Sequence, residues 1–318
     1  MNTLHRFVIA VLCTAACAAQ QQPSAANAIV FAAGGYQIPP LALTVAPGQV
    51  VVLHVHGVPS VLSAPIKGVP GPTGLPTTLA GISVDLVQGK AGTVTSLGLI
   101  GAYQANCLAP CSLLTGIALQ VPFGIETNFG TTGDPLPQLR ISQDGTALGA
   151  VTLLPVSDSV HVINTCDDSQ VSVPAAVSVP QDICAPAVMV GGALNSLYNL
   201  AHGGDELAVW LYGLGAITAP APDCCASPDQ LSKPVAAFQL NFDFRPNAPA
   251  SPALPGFGIT SAPVFAAYVG GGQYQLNFLV PPVPAGLPAC DGVKIKSNLS
   301  VTITGPNSSD AAQICVAP

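Results

Sequence analysis

His54 and His56 stand two apart on an apolar run. An extended backbone would turn both imidazoles to one side, as in a two-histidine metal site. No carboxylate or further His lies close by in sequence, so the rings are assigned to packing and no metal is expected. A later run holds Trp210 and Tyr212 at the corresponding positions, which asks for a flat, semi-polar surface rather than for metal ligands. Cys107 and Cys111 are not spaced as in a zinc knuckle and read as a disulfide closing a small hairpin. Asp167-Asp168 and Asp205-Glu206 could offer oxygen to calcium. No Asp-x-Asp-x-Asp-Gly loop exists, however, so solvated acidic turns are expected. The chain has no Gly-x-Ser-x-Gly elbow, no His-Glu-x-x-His and no phosphate-cradling Gly-rich loop ending in Lys and a hydroxyl. Asp85, Glu126, Asp205, Glu206 and Asp243 form no favoured pair for glycoside hydrolysis. No catalytic residue, cofactor or enzymatic activity is therefore assigned.

The elements that must position these residues belong to a chain read as exported. Arg6 closes a short polar start, and Phe7 to Ala19 is an apolar run of signal-peptide length, so residues 1–19 are expected to be a signal peptide and 20–28 a flexible leader. Cys17-Ala18-Ala19 before Gln20 resembles a small-residue cleavage site. Thr14-Ala15-Ala16-Cys17 offers the alternative of a lipid anchor at Cys17, but Thr14 stands where such a motif prefers Leu. Beyond the leader, Gly and Pro, 32 of each, interrupt every apolar stretch. No run approaches the roughly 20 apolar residues of a transmembrane segment, and long helices are disfavoured. With a net charge of −7 and eight scattered Lys and Arg, the chain has no basic stripe for nucleic acid. Eight cysteines follow the leader: Cys107, Cys111, Cys166, Cys184, Cys224, Cys225, Cys290 and Cys315. An even number in an exported chain reads as disulfides. Proximity suggests Cys107–Cys111 and Cys166–Cys184, with Cys224 and Cys225 each reaching Cys290 or Cys315.

Short apolar runs between turn residues predict an all-β chain. Val50 to His56 is one strand, with Val51, Leu53 and Val55 toward a core, and Asp144-Gly145 marks a hairpin between Leu139–Ser142 and Ala147–Leu153. The second half repeats the first. Ala46-Pro47-Gly48-Gln49 and its strand are matched with Gly203-Gly204-Asp205-Glu206 and the strand to Gly213. Ile117 to Pro122 is matched with Leu276 to Pro281. Two landmarks in the same order and at nearly the same offset indicate duplication. The expected architecture is two tandem immunoglobulin-like β-sandwich domains, 29–165 and 187–318, joined by a linker over 166–186.

The pieces VAPGQVVVLHVHG and GGDELAVWLYGLG resemble the opening of a paralogous immunoglobulin-like domain of secreted acidobacterial proteins. Val264 to Gly286 resembles its closing motif, a Tyr-Gln-Leu-Asn strand running into Val-Pro and a Pro-x-Gly turn. Tyr274, Gln275, Asn277, Val280, Pro281 and Gly286 fit that motif, whereas the first unit carries Thr115, Gly116 and Ala118 in place of the Tyr, Gln and Asn. The resemblance implies an IPT/TIG-like sandwich with no established catalytic residues. The expected function is a non-catalytic extracellular structural, adhesion or recognition module, secreted or at the cell surface, whose partner is an extracellular protein or glycan. The rival is a secreted carbohydrate-binding protein or hydrolase with its site on loops or at the interdomain groove. Trp210, Tyr212 and Tyr268 are that rival's sugar-stacking candidates and, with His54 and His56, the candidate ligand-facing residues; the plainer expectation for the aromatics is core or interface packing.

Overall fold

A computed structural model describes residues 28–31, 42–56, 58, 62–71, 74–105, 114–127, 133–165, 167, 185–218, 231–249 and 259–318. Among these residues the protein is all-β, and no helix is long and apolar enough to cross a membrane. Most of the expected linker, Cys166 and 168–184, lies outside the described residues, as do residues 20–27 of the leader and six of the eight cysteines named above, while Ala28 opens the first strand.

Four sheets pack as two face-to-face pairs. In the first sheet β1 (Ala28–Phe31), β3 (Val50–His56), β9 (Leu114–Gln120), β8 (Leu99–Ala105) and β4 (Ile66–Lys67) lie side by side, all antiparallel. Facing it are β2 (Leu43–Val45), β11 (Thr146–Pro155), β10 (Gln138–Gln143), β6 (Ile82–Gln88) and β5 (Thr78–Leu79), with β7 (Thr93–Ser96) also on β6. The hairpin between β10 and β11 turns at Asp144-Gly145 as expected. The pairing of β2 with β11 is parallel. Side chains at alternate positions from both sheets, including Val51, Leu53 and Val55 with Val84, Leu86, Ile141 and Leu153, make one apolar core.

The second pair has β14 (Ala193–Leu194), β13 (Val188–Val190), β15 (Glu206–Tyr212), β19 (Gln273–Leu279) and β18 (Phe265–Gly270) in one sheet, with β12 (His161–Val162) on β15. The other sheet holds β17 (Ile259–Ser261), β16 (Gln239–Asp243), β20 (Leu299–Thr304) and β21 (Ser309–Ile314). Their core gathers Leu207, Val209 and Leu211 with Phe242, Phe278, Val301 and Ile303. Phe242 and Phe278 meet edge-on with centroids 5.6 Å apart. Because β12 pairs with β15, and Val160 and Val162 join this second core, residues 160–165 belong with the second pair of sheets, not with the first as expected from sequence.

The central strand pairs of the two sheet pairs share a backbone register. His54 faces Gly116 and Leu53 faces Ile117 in the first unit, while Trp210 faces Gln275 and Val209 faces Leu276 in the second. The turns into β3 and β15 repeat bond for bond: Gly48 N–H donates to Val121 O at 3.0 Å, and Gly204 N–H donates to Val280 O at 2.8 Å. Gly48 is therefore the counterpart of Gly204, and Ala46–Gln49 matches His202–Asp205, one residue earlier than the match drawn from sequence.

Candidate functional site

Positions 54 and 210 lie on the outward faces of β3 and β15, since their chain neighbours point into the cores. His54 is half-buried; its Nε2 lies 3.2 Å from the Tyr103 hydroxyl, and the two rings meet edge-on. Tyr103 lies over Gly116, where any side chain would collide with the phenol ring. The His56 side chain is outside the described residues. Among the described residues, no three His, Cys, Asp or Glu side chains are grouped as metal ligands would be.

The outward faces of the two units meet at a seam. Val50, Ile163, Ala187 and Tyr212 form a buried cluster, with Ile100 from the first unit and Trp210 from the second packed against it. Tyr268 is fully buried beside it: its hydroxyl receives N–H bonds from Gln120 Nε2 (2.9 Å) and from Gly272 N (3.1 Å), and its ring meets Phe123 edge-on at 5.2 Å. Phe123, from the first unit, thereby packs against the second core. Tyr212 and Tyr268 are thus seam residues with no exposed surface, which removes them from the candidate ligand-facing set; Trp210 stays half-buried. The periodicity of β15 placed Tyr212 on the outward face, but nothing in the local sequence said that the other unit covers it.

On the outward side of β15, β19 and β18, three polar side chains form a hydrogen-bonded rail. Gln275 Nε2 donates to Asn277 Oδ1 at 2.8 Å, and Asn277 Nδ2 donates to Glu206 Oε1 at 2.8 Å. Trp210 stands beside Gln275 on β15, and Phe265 stands beside Asn277 on β18. The small side chains of Ala208 and Ala267 complete the two cross-strand rows. Sequence reading singled out Glu206 as an acid and Gln275 and Asn277 as motif positions, but did not bring them together. Alternation alone puts 275 and 277 on one face, but only the pairing of β19 with β15 brings Glu206 to them.

Three carboxylates do structural work that local spacing hid. His161 is buried with Nε2 2.8 Å from Asp167 Oδ2 and Nδ1 3.3 Å from Asp310 Oδ2. The same Asp167 oxygen accepts Asn164 N–H, and Asp310 Oδ2 accepts Val162 N–H, each at 2.8 Å. Burial alone would push the imidazole pKa down, but the bonds to Asp167 and then Asp310 outweigh it and raise it from 6.5 to about 9. Asp167 is therefore a buried counter-ion and not a solvated turn. Asp158, also buried, accepts N–H bonds from Asn307 and Ser308 and ties residue 158 to the turn before β21. Cys290 and Cys315 are bonded to each other, with Cα atoms 5.9 Å apart. That pairing overturns the expectation that each would bond Cys224 or Cys225.

No protein-family model and no curated protein matches the chain.

Proposed function

We propose that this chain is an exported, non-catalytic recognition module built from two immunoglobulin-like sandwiches. One observation carries the reading. The buried groups His161, Asp158 and Asp167 and the half-buried Asp310 are spent on backbone N–H groups and on each other, whereas the outward strip beside the seam is aromatic and amide-lined. Groups with both polar ends tied to structure are poorly placed for proton transfer to a substrate, while planar amides and half-buried rings suit reversible contact. The leader, the disulfide and the resemblance of Val264–Gly286 to a secreted sandwich motif support export. The test is a panel of ester, glycoside and peptide substrates assayed with the purified protein. No turnover is expected. Turnover lost on one substitution among Asp85, Glu126, Asp205, Glu206 or Asp243 would overturn the reading and favour a hydrolase.

A further inference from the structure

The duplicated unit supplies an internal control for the rail. In the same register the first sandwich holds Val50, Val52, Gly116 and Ala118 where the second holds Glu206, Ala208, Gln275 and Asn277. The first sheet forms without any of the three polar side chains, so the fold does not require them. In the first unit Tyr103 from β8 covers the counterpart position, Gly116. In the second unit the corresponding row carries the small, buried side chain of Ala267 of β18, so no ring lies over Gln275 from its β18 partner. Glu206 is exposed, and Gln275, Asn277, Trp210 and Phe265 are half-buried, so each keeps part of its surface in solvent.

Resting on the recognition reading above, we propose that this strip binds a neutral carbohydrate chain. Its chemistry fits hydroxyls, which donate and accept at once. Amides offer both roles in one plane, and the carboxylate accepts strongly. Trp210 and Phe265 stand diagonally across the rail and are half-buried, Trp210 with one side against the seam, and the ring surface they keep in solvent would pack against the C–H faces of a sugar. The rail contains one carboxylate and no cation, so it repels phosphate backbones and acidic polysaccharides. Because Gln275 bonds Asn277 and Asn277 bonds Glu206, the three side chains are held in place before a ligand arrives, which lowers the ordering cost of binding.

The test is affinity electrophoresis of the full chain in gels containing β-glucan, xylan or mannan, with alginate as the anionic contrast. Retardation by at least one neutral polymer and none by alginate is expected. Glu206→Gln, Gln275→Gly and Asn277→Ala are the variants, the last two installing what the first unit carries at those positions. Each should weaken retardation about ten-fold, the loss expected for one hydrogen bond to a charged or preorganised partner. Each variant should keep the parent's far-ultraviolet circular dichroism and a cooperative melt above the assay temperature, with Gln275→Gly melting slightly lower as Gly in a strand interior requires, which separates lost binding from lost folding. No retardation by any neutral polymer, preference for alginate, or retardation that the three variants leave intact would each overturn the strip as a glycan site. With no turnover those results leave the recognition reading standing, whereas hydrolysis of a polymer would end that reading itself.

Discussion

At the scale of single residues, burial and partnering decide which side chains stay available for binding. His161 shows this best. Its pKa is raised, so the stability it contributes is fully present below its unfolded value of 6.5 and is lost as the pH rises through about 9. A rise of that size corresponds to about 3 kcal/mol, and the ring is too buried for solvent screening to remove most of it. Urea midpoints measured from pH 6 to pH 10 should therefore fall across the alkaline half of that range. His161→Gln should be less stable by about 3 kcal/mol at pH 6.5, because it leaves Asp167 facing Asp310 without a cation between them. The variant's stability should also be flat over the window in which the parent declines. Gly272 is a second such residue. Its φ is +76°, and a Cβ there would collide with Val50 Cγ2 and lie 2.9 Å from the Gly48 carbonyl oxygen. Gly272→Ala should cost about 1–3 kcal/mol through strain and overpacking. Trp210, the single tryptophan, borders this seam, so its emission should shift to the red in the variant.

At the scale of elements, the alternation of Val51, Leu53 and Val55 and of Leu207, Val209 and Leu211 was enough to place both central strands and their inward faces. The Asp144-Gly145 hairpin was equally plain, because a two-residue turn fixes its flanking strands. Sheet order was not legible. The parallel pairing of β2 with β11 joins segments far apart in sequence, and no local pattern encodes it. The two-residue strand β12 is too short for a period, and it joins the second unit through His161 and Val162. The rail failed for another reason: each of its residues is ordinary alone, and only cross-strand register makes them neighbours. The cysteines show the same limit, since proximity in sequence favours local pairs while Cys290–Cys315 follows from β21 returning beside the 288–298 segment. That bond should link the two peptides containing these residues in a non-reducing map. Replacing both cysteines by Ser should lower stability by about 2–4 kcal/mol. Thr165 N–H donates to Ala185 O at 2.7 Å, so the chain neighbours of Cys166 and Cys184 are paired, and the same map should join those two cysteines.

At the scale of the whole molecule, the two pairs of sheets meet at a seam. Sequence reading expected two tandem sandwich domains joined by a linker over 166–186. The two pairs of sheets also touch directly: Phe123 packs against the second core, Gln120 bonds Tyr268, and Val50 packs in one cluster with Tyr212. Contacts of this kind couple the unfolding of neighbouring units, because exposing the seam uncovers buried aromatic surface on both sides. The full chain should therefore unfold as one cooperative body, with the rail of the second sandwich held at a fixed place beside the first. The direct measurement is a urea titration of the full chain followed at once by Trp210 emission, which reports on the seam, and by far-ultraviolet circular dichroism, which reports on the strands. The two transitions should coincide at one midpoint. A red shift of Trp210 complete at lower urea, with the β-sheet signal still intact, would contradict it by showing that the sandwiches part before either unfolds.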